Sequence, residues 1–332
     1  MFDFSRKLAR GLAAVAATLI LISCGGSDDT PAPPPFGQTT YVVGASLSDM
    51  GNQCTARPSE CTPTPPSYQQ LDSNGPLWVA TVAARYGATV NASLKGGTNF
   101  AYADARTGVV PNDGATAPPA AIAPSMVQQT DTMLTRTGFL INPQNLVIVD
   151  ASSFANNVSA ALALVQASPA NASTIATATV TAAVTDVVGI LNRLYASGAR
   201  NILVVNSPDV GKTPAVQSFN NPLIAGLATQ MSGGFNSNLA TQINNVRAVS
   251  PGLSVFSLDL FMLQTQVQAS PAAYGFANAT LPCFVAATAT TPQILCSTDP
   301  AVQNAFFFWD PFHPTYAAGQ LAAQRAITAI GR

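Results

Sequence analysis

Histidine occurs once in this chain, at position 313 of 332. It is the side chain whose ordinary pKa lets it take and give protons near neutral pH, so acid–base chemistry of the usual kind has one place to happen. One histidine and five cysteines leave few soft ligands for a zinc-type centre; no metal and no cofactor are expected. Charge is scarce as well. Lys, Arg, Asp and Glu make up 9% of the residues, against about 25% in ordinary soluble domains. The formal net charge is −1, and no basic stripe exists on which a nucleic acid would settle. An apolar fraction of 48% excludes a disordered chain. A surface of Ser, Thr, Asn, Gln and Ala suits an exported protein.

The N-terminus supports that. Arg6, Lys7 and Arg10 precede an apolar run over residues 12–22, the plan of a signal peptide; the run is short for a membrane span. Leu21-Ile22-Ser23-Cys24-Gly25 then resembles a bacterial lipobox, whose cysteine becomes the lipidated first residue after cleavage. Ordinary secretory cleavage nearby is the alternative. The expected organisation is a signal peptide over 1–23, lipidated Cys24 with a flexible Gly/Ser/Asp/Pro tether over 24–38, and one folded domain over 39–332. Several acyl chains on one residue make a stable anchor. With no Asp after Cys24, the lipobox resemblance implies a bacterial cell envelope, at the outer membrane. Setting Cys24 apart leaves four cysteines. An even number in an oxidising compartment suggests bridges. Of three connectivities, the simplest pairs Cys54 with Cys61 and Cys283 with Cys296.

Further on, β-branched apolar runs alternate with helical stretches. Residues 41–43, 146–149, 202–205 and 254–258 read as strands. Residues 78–86, 172–197, 223–246 and the tail after Thr315 read as helices. That alternation implies an α/β domain with a parallel sheet covered on both faces. A serine directly after a strand lies where such sheets present reactive groups, outside the carboxyl ends of their strands. Ser46 is so placed, in Gly44-Ala45-Ser46-Leu47-Ser48-Asp49-Met50-Gly51-Asn52.

This block resembles Gly-Asp-Ser-Leu-Ser-Asp-x-Gly-Asn, the first block of the GDSL (SGNH) serine esterases and lipases. Further blocks follow in the family's order: Ser73-Asn74-Gly75-Pro76-Leu77-Trp78, Gly96-Gly97-Thr98-Asn99-Phe100, Asp150-Ala151-Ser152-Ser153, Asn206-Ser207-Pro208-Asp209 and Asp310-Pro311-Phe312-His313-Pro314-Thr315. The joint pattern covers roughly residues 40–330 and is more specific than any one block. It implies a three-layer α/β/α sandwich around a central, mostly parallel, flavodoxin-like sheet. It also implies hydrolysis of acyl esters through an acyl-enzyme, with a lipid or other acyl ester as substrate. Ser46 would be the nucleophile, His313 the base and then the acid, and Asp310 the carboxylate that orients the ring.

Three positions depart from the family. Ala45 replaces its aspartate. Counting from Asn99, Asp104 stands at the second-block glycine, and Ser152 stands at the third-block asparagine. The resemblance therefore assigns the oxyanion hole to the N–H groups of Ser46 and Asp104 and to the Ser152 hydroxyl, a weaker set than usual. A weakened or inactive hydrolase-fold lipoprotein that binds a lipid or glycan is the alternative. Asp49 and Asn52 are expected to brace the loop after the serine. Phe306, Phe307, Phe308 and Trp309 are expected in the core, with an acyl-pocket lining as the other use of such a run.

Overall fold

Four parallel strands form the central sheet: β1 (Thr40–Val43), β2 (Leu146–Asp150), β3 (Asn201–Val205) and β4 (Ser254–Leu258), adjacent in that order. In this computed structural model the described residues are 36–37, 39–108, 123–288 and 292–331. The expected signal peptide, Cys24 and the tether up to residue 35 lie outside them. Phe36, assigned to the tether by composition, is buried; its ring stands 4.7 Å from that of Tyr86.

The register is flush at the start: Thr40 pairs with Leu146, Leu146 with Asn201 and Asn201 with Ser254; β2, β3 and β4 also end together, one position beyond β1. A partial fifth strand lies on the free side of β1, where Val42 N–H donates to the Thr98 carbonyl (3.1 Å) and Phe100 N–H to the Val42 carbonyl (2.7 Å). Counting it, the spatial order in chain numbers is 2-1-3-4-5. In that flavodoxin-like order the chain leaves β1 to one side and returns on the other, so a crevice opens beyond the carboxyl ends of β1 and β2.

Both faces of the sheet are covered because its side chains alternate. Val147, Val149, Ile202 and Val204 enter one core, with side chains from helices Met126–Arg136, Phe154–Ala167, Ala172–Ala196 and Pro222–Val249. Leu146, Ile148, Leu203 and Val205 enter the other, with helices Trp78–Arg85, Leu260–Ala269 and Tyr316–Ile330. Burial of each such side chain is worth about 1.5–3 kcal/mol. A one-residue slip would exchange the two faces, which fixes the register.

Cys54 is bonded to Cys61 and Cys283 to Cys296, the simplest of the connectivities. The second bridge closes a small hairpin, Phe284–Val285 with Ile294–Leu295, whose Phe284 ring stacks on Trp309 at 5.4 Å. Of the four residues expected in the core, Phe307, Phe308 and Trp309 are buried and Phe306 is half-buried, packed against the cluster of Cys283, Phe284 and Trp309.

Candidate active site

The serine loop is assembled from backbone and amide contacts. β1 runs into Gly44, whose N–H and carbonyl both bond the buried Gln129 amide, at 2.8 and 2.9 Å. A Cβ on Gly44 would lie 2.6 Å from the Asp150 Cβ, so the two strand ends approach this closely only with glycine here. Ser46 then begins a single 3-10 turn, Ser46–Ser48. Ser48 Oγ donates to the fully buried Asp150 carboxylate (2.6 Å), and the Ser48 carbonyl accepts from Asn99 Nδ2 (2.7 Å). The Asp49 carboxylate accepts four N–H groups, those of Gly51, Asn52, Gln53 and Ala103, at 2.6–2.9 Å. Asn52 donates to the Asn99 and Ala101 carbonyls and accepts from Ser93 and Leu94. The two residues do brace the loop, and they also tie it to the segment that carries Asp104.

The histidine loop is equally pinned. Asp310 Oδ1 accepts the N–H groups of Phe312 (2.8 Å) and His313 (2.9 Å). Its other oxygen bonds the His313 ring at Nδ1, 2.7 Å. Trp309 N–H closes the turn on the His313 carbonyl (2.8 Å), and Ala215 N–H anchors the Pro311 carbonyl (3.0 Å). Thr315 caps the helix Tyr316–Ile330 that follows. With Nδ1 committed to the carboxylate, Nε2 faces outward, and it lies 2.8 Å from Ser46 Oγ. Ser46, His313 and Asp310 are thus brought into one hydrogen-bonded chain across 267 positions of sequence.

Asp104 lines the same polar cleft as Ser46 and His313. Its φ is +62°, the left-handed region where glycine is at ease and Asp is among the better-tolerated substitutes; the glycine preference there has a backbone cause. Neither Ser46 N–H nor Asp104 N–H donates to an acceptor among the described backbone contacts. Ser152 is placed differently. Its side chain is buried at the end of β2 and does not line the cleft. Its N–H turns back to Asp150 Oδ1 (3.1 Å); of the three residues expected to supply oxyanion donors, Ser46 and Asp104 line the cleft and Ser152 does not.

One residue of the site carried no signal in the sequence. Asp72 lines the cleft with its carboxylate 3.9 Å from His313 Nε2. Burial lifts its carboxyl to about 6; His313 opposes the lift, and Asp310, Asp49 and Asp104 add to it. On His313 burial works downward, but it is outweighed by the charges of Asp310 and Asp72, by the Asp310 hydrogen bond and by Asp104, and the ring is pushed up to about 9. Among the described residues, Asp72, Asp310 and His313 are the one set of three such groups whose ligand atoms lie within 4.8 Å of one another. Since Asp310 Oδ2 and Nδ1 already bond each other, a cation would compete with the hydrogen-bonded chain for the same atoms.

Beside the cleft lies an apolar slot lined by Leu47, Trp78, Leu263, Phe308, Phe312 and Pro314. Phe307 and Phe308 serve both the core and this slot.

A profile of the GDSL-like Lipase/Acylhydrolase family matches residues 41–326. The chain belongs to that family. Among curated proteins it is 29% identical over 144 residues to a GDSL esterase/lipase of Arabidopsis thaliana, covering 41% of this chain and 40% of that one. A second Arabidopsis GDSL esterase/lipase is 30% identical over 149 residues, covering 42% and 39%. The chain spans about two-fifths of the length of these curated relatives. A putative GDSL-like lipase from Parabacteroides merdae aligns with TM-score 0.47 and 12% identity, over 90% of this chain and 98% of that one.

Proposed function

We propose that this GDSL-family chain hydrolyses acyl esters with Ser46, His313 and Asp310 as its triad. The observation that carries the proposal is the pair of short hydrogen bonds, 2.8 Å from Ser46 Oγ to Nε2 and 2.7 Å from Nδ1 to Asp310. A serine hydroxyl is a weak nucleophile until a neighbouring base takes its proton. Here Nε2 takes it as Oγ attacks the ester carbonyl, and Asp310 stabilises the imidazolium that results. The N–H groups of Ser46 and Asp104 receive the oxyanion. Nε2 returns the proton to the leaving alcohol, and water then hydrolyses the acyl-serine by the same steps.

The polar cleft suits the alcohol half of the ester. The slot of Leu47, Phe308 and Phe312 suits a short acyl half. The lipobox-like Leu21-Ile22-Ser23-Cys24 supports an outer-membrane lipoprotein of the cell envelope, anchored through Cys24 and acting on lipid or other acyl esters. Palmitate labelling that survives in Cys24→Ser would sink that anchor.

Replacement of Ser46 by Ala, assayed on short-chain nitrophenyl esters, tests the triad. Activity is expected to fall about 10⁴-fold or more; equal hydrolysis by variant and parent defeats the assignment. A ligand-binding protein on a weakened site is the second reading, favoured by the withdrawal of Ser152 from the cleft. It predicts that parent and variant are equally inert.

A further inference from the structure

The Asp72 carboxylate has no hydrogen-bond donor among the described contacts, although its turn is held firmly on both sides. Tyr68 N–H bonds the Ser73 carbonyl (2.8 Å), Ser73 N–H the Leu71 carbonyl (2.8 Å), and Asn74 Oδ1 accepts the N–H of Tyr316 (2.7 Å). Leu71 and Ser73 are buried. The backbone thus presents Asp72 at a fixed place, and its side chain is 18% exposed. Its carboxylate stands 3.9 Å from His313 Nε2. That is too far for a direct hydrogen bond. It is the spacing of two atoms that share one oxygen between them: contacts of about 2.8 Å to each meet at an angle of about 90°.

Two oxygens visit that position during ester hydrolysis at Ser46, and they differ in their protons. In acylation it is the ester's alkoxy oxygen, which has no proton until Nε2 supplies one. In deacylation it is water, which has two. One proton must go to Nε2 as the water oxygen bonds the acyl carbon. The other stays on that oxygen and needs an acceptor. We propose that Asp72 is that acceptor: its carboxylate holds the hydrolytic water against Nε2 and the acyl-serine carbonyl. The step balances without further reactants. The water's second proton remains on the new carboxylic acid, the C–Oγ bond breaks, and Nε2 returns the first proton to Ser46 Oγ. Asp72 gives and takes no proton overall. It orients. An alcohol has only one proton, which it must give to Nε2, so it satisfies Asp72 less well than water does. The carboxylate therefore also favours hydrolysis over transfer of the acyl group to alcohols.

The inference rests on the Ser46 acyl-enzyme proposed above, and pre-steady-state kinetics separate the two. With a nitrophenyl ester at pH 8, Asp72→Asn is expected to lower the ratio of deacylation to acylation rate constants about tenfold or more. The burst of nitrophenol should grow toward one per site, and methanolysis should gain on hydrolysis. A carboxylate that merely tuned the ring would change both steps alike, because the same base serves both. An unchanged ratio, with acyl-Ser46 seen by mass spectrometry in the parent, overturns the role of Asp72 alone. Absence of acyl-Ser46 in an active parent overturns the triad as well. Asp72→Ser, which leaves room for a second water, is expected to recover part of the ratio; recovery equal to the parent also counts against the carboxylate.

Discussion

The Asp49 carboxylate accepts the N–H of Ala103 at 2.9 Å, and this bond joins the loop behind Ser46 to the loop that presents Asp104. Three further N–H groups from the serine loop bind the same carboxylate. Asp49 thereby sets the spacing of the Ser46 and Asp104 N–H groups proposed as oxyanion donors.

Asp49→Asn keeps the shape and replaces one acceptor oxygen by a donor. With the amide nitrogen at the Oδ2 position, the Ala103 and Gln53 bonds, which share that oxygen, are lost together. Such a change is expected to lower kcat about 10²-fold, the scale of one misplaced oxyanion donor, with KM little altered. Steady-state kinetics on a soluble ester check this. A change confined to KM would place Asp49 in substrate binding instead.

The pH profile follows from the charges around the ring. His313 works as a base only when neutral, and its carboxylate neighbours lift it to about 9. kcat/KM should therefore rise with pH through about 9 and be lost as pH falls through that value. Asp72→Asn removes one of the charges that raise the ring, so the acid limb should move to lower pH. A parent limb near the ordinary histidine value of 6.5, unmoved in the variant, would contradict the charge arrangement.

Two of the positions that depart from the family should respond differently. Asp104→Gly keeps the N–H, suits φ +62° and removes a carboxylate from the cleft lined by Ser46 and His313. It is expected to raise kcat severalfold. Ser152→Ala should leave kcat within about twofold, since the Ser152 side chain is buried away from the cleft. A large loss in Ser152→Ala would return that hydroxyl to the oxyanion hole.

The centre of the sheet was legible in the sequence because β2 and β3 are short, rich in Val and Ile, and buried on both faces. The run at 146–149 needs no partner to be recognised, and β2 extends it by only Asp150. The partners of Ser46 were legible because there is one histidine, with an aspartate three residues before it. Three features had no local signature. Asp72 sits in an aperiodic turn and becomes part of the site only through folding against a loop 241 positions away. Gln129 grips Gly44 from a helix whose pattern shows only that one face is buried. Ser152 aligns with a donor by count, but whether its hydroxyl reaches the cleft depends on how the turn after β2 rotates. That rotation is set by the Asp150 bonds to Ser48 and to the Ser152 N–H.

The central claim is that one hydroxyl in this chain is activated, and labelling with a fluorophosphonate probe followed by peptide mass spectrometry tests it most directly. The account predicts one adduct per chain, on Ser46, abolished by His313→Ala and slowed by Asp310→Asn. An adduct on another residue, or an active protein that leaves Ser46 unlabelled, would contradict it.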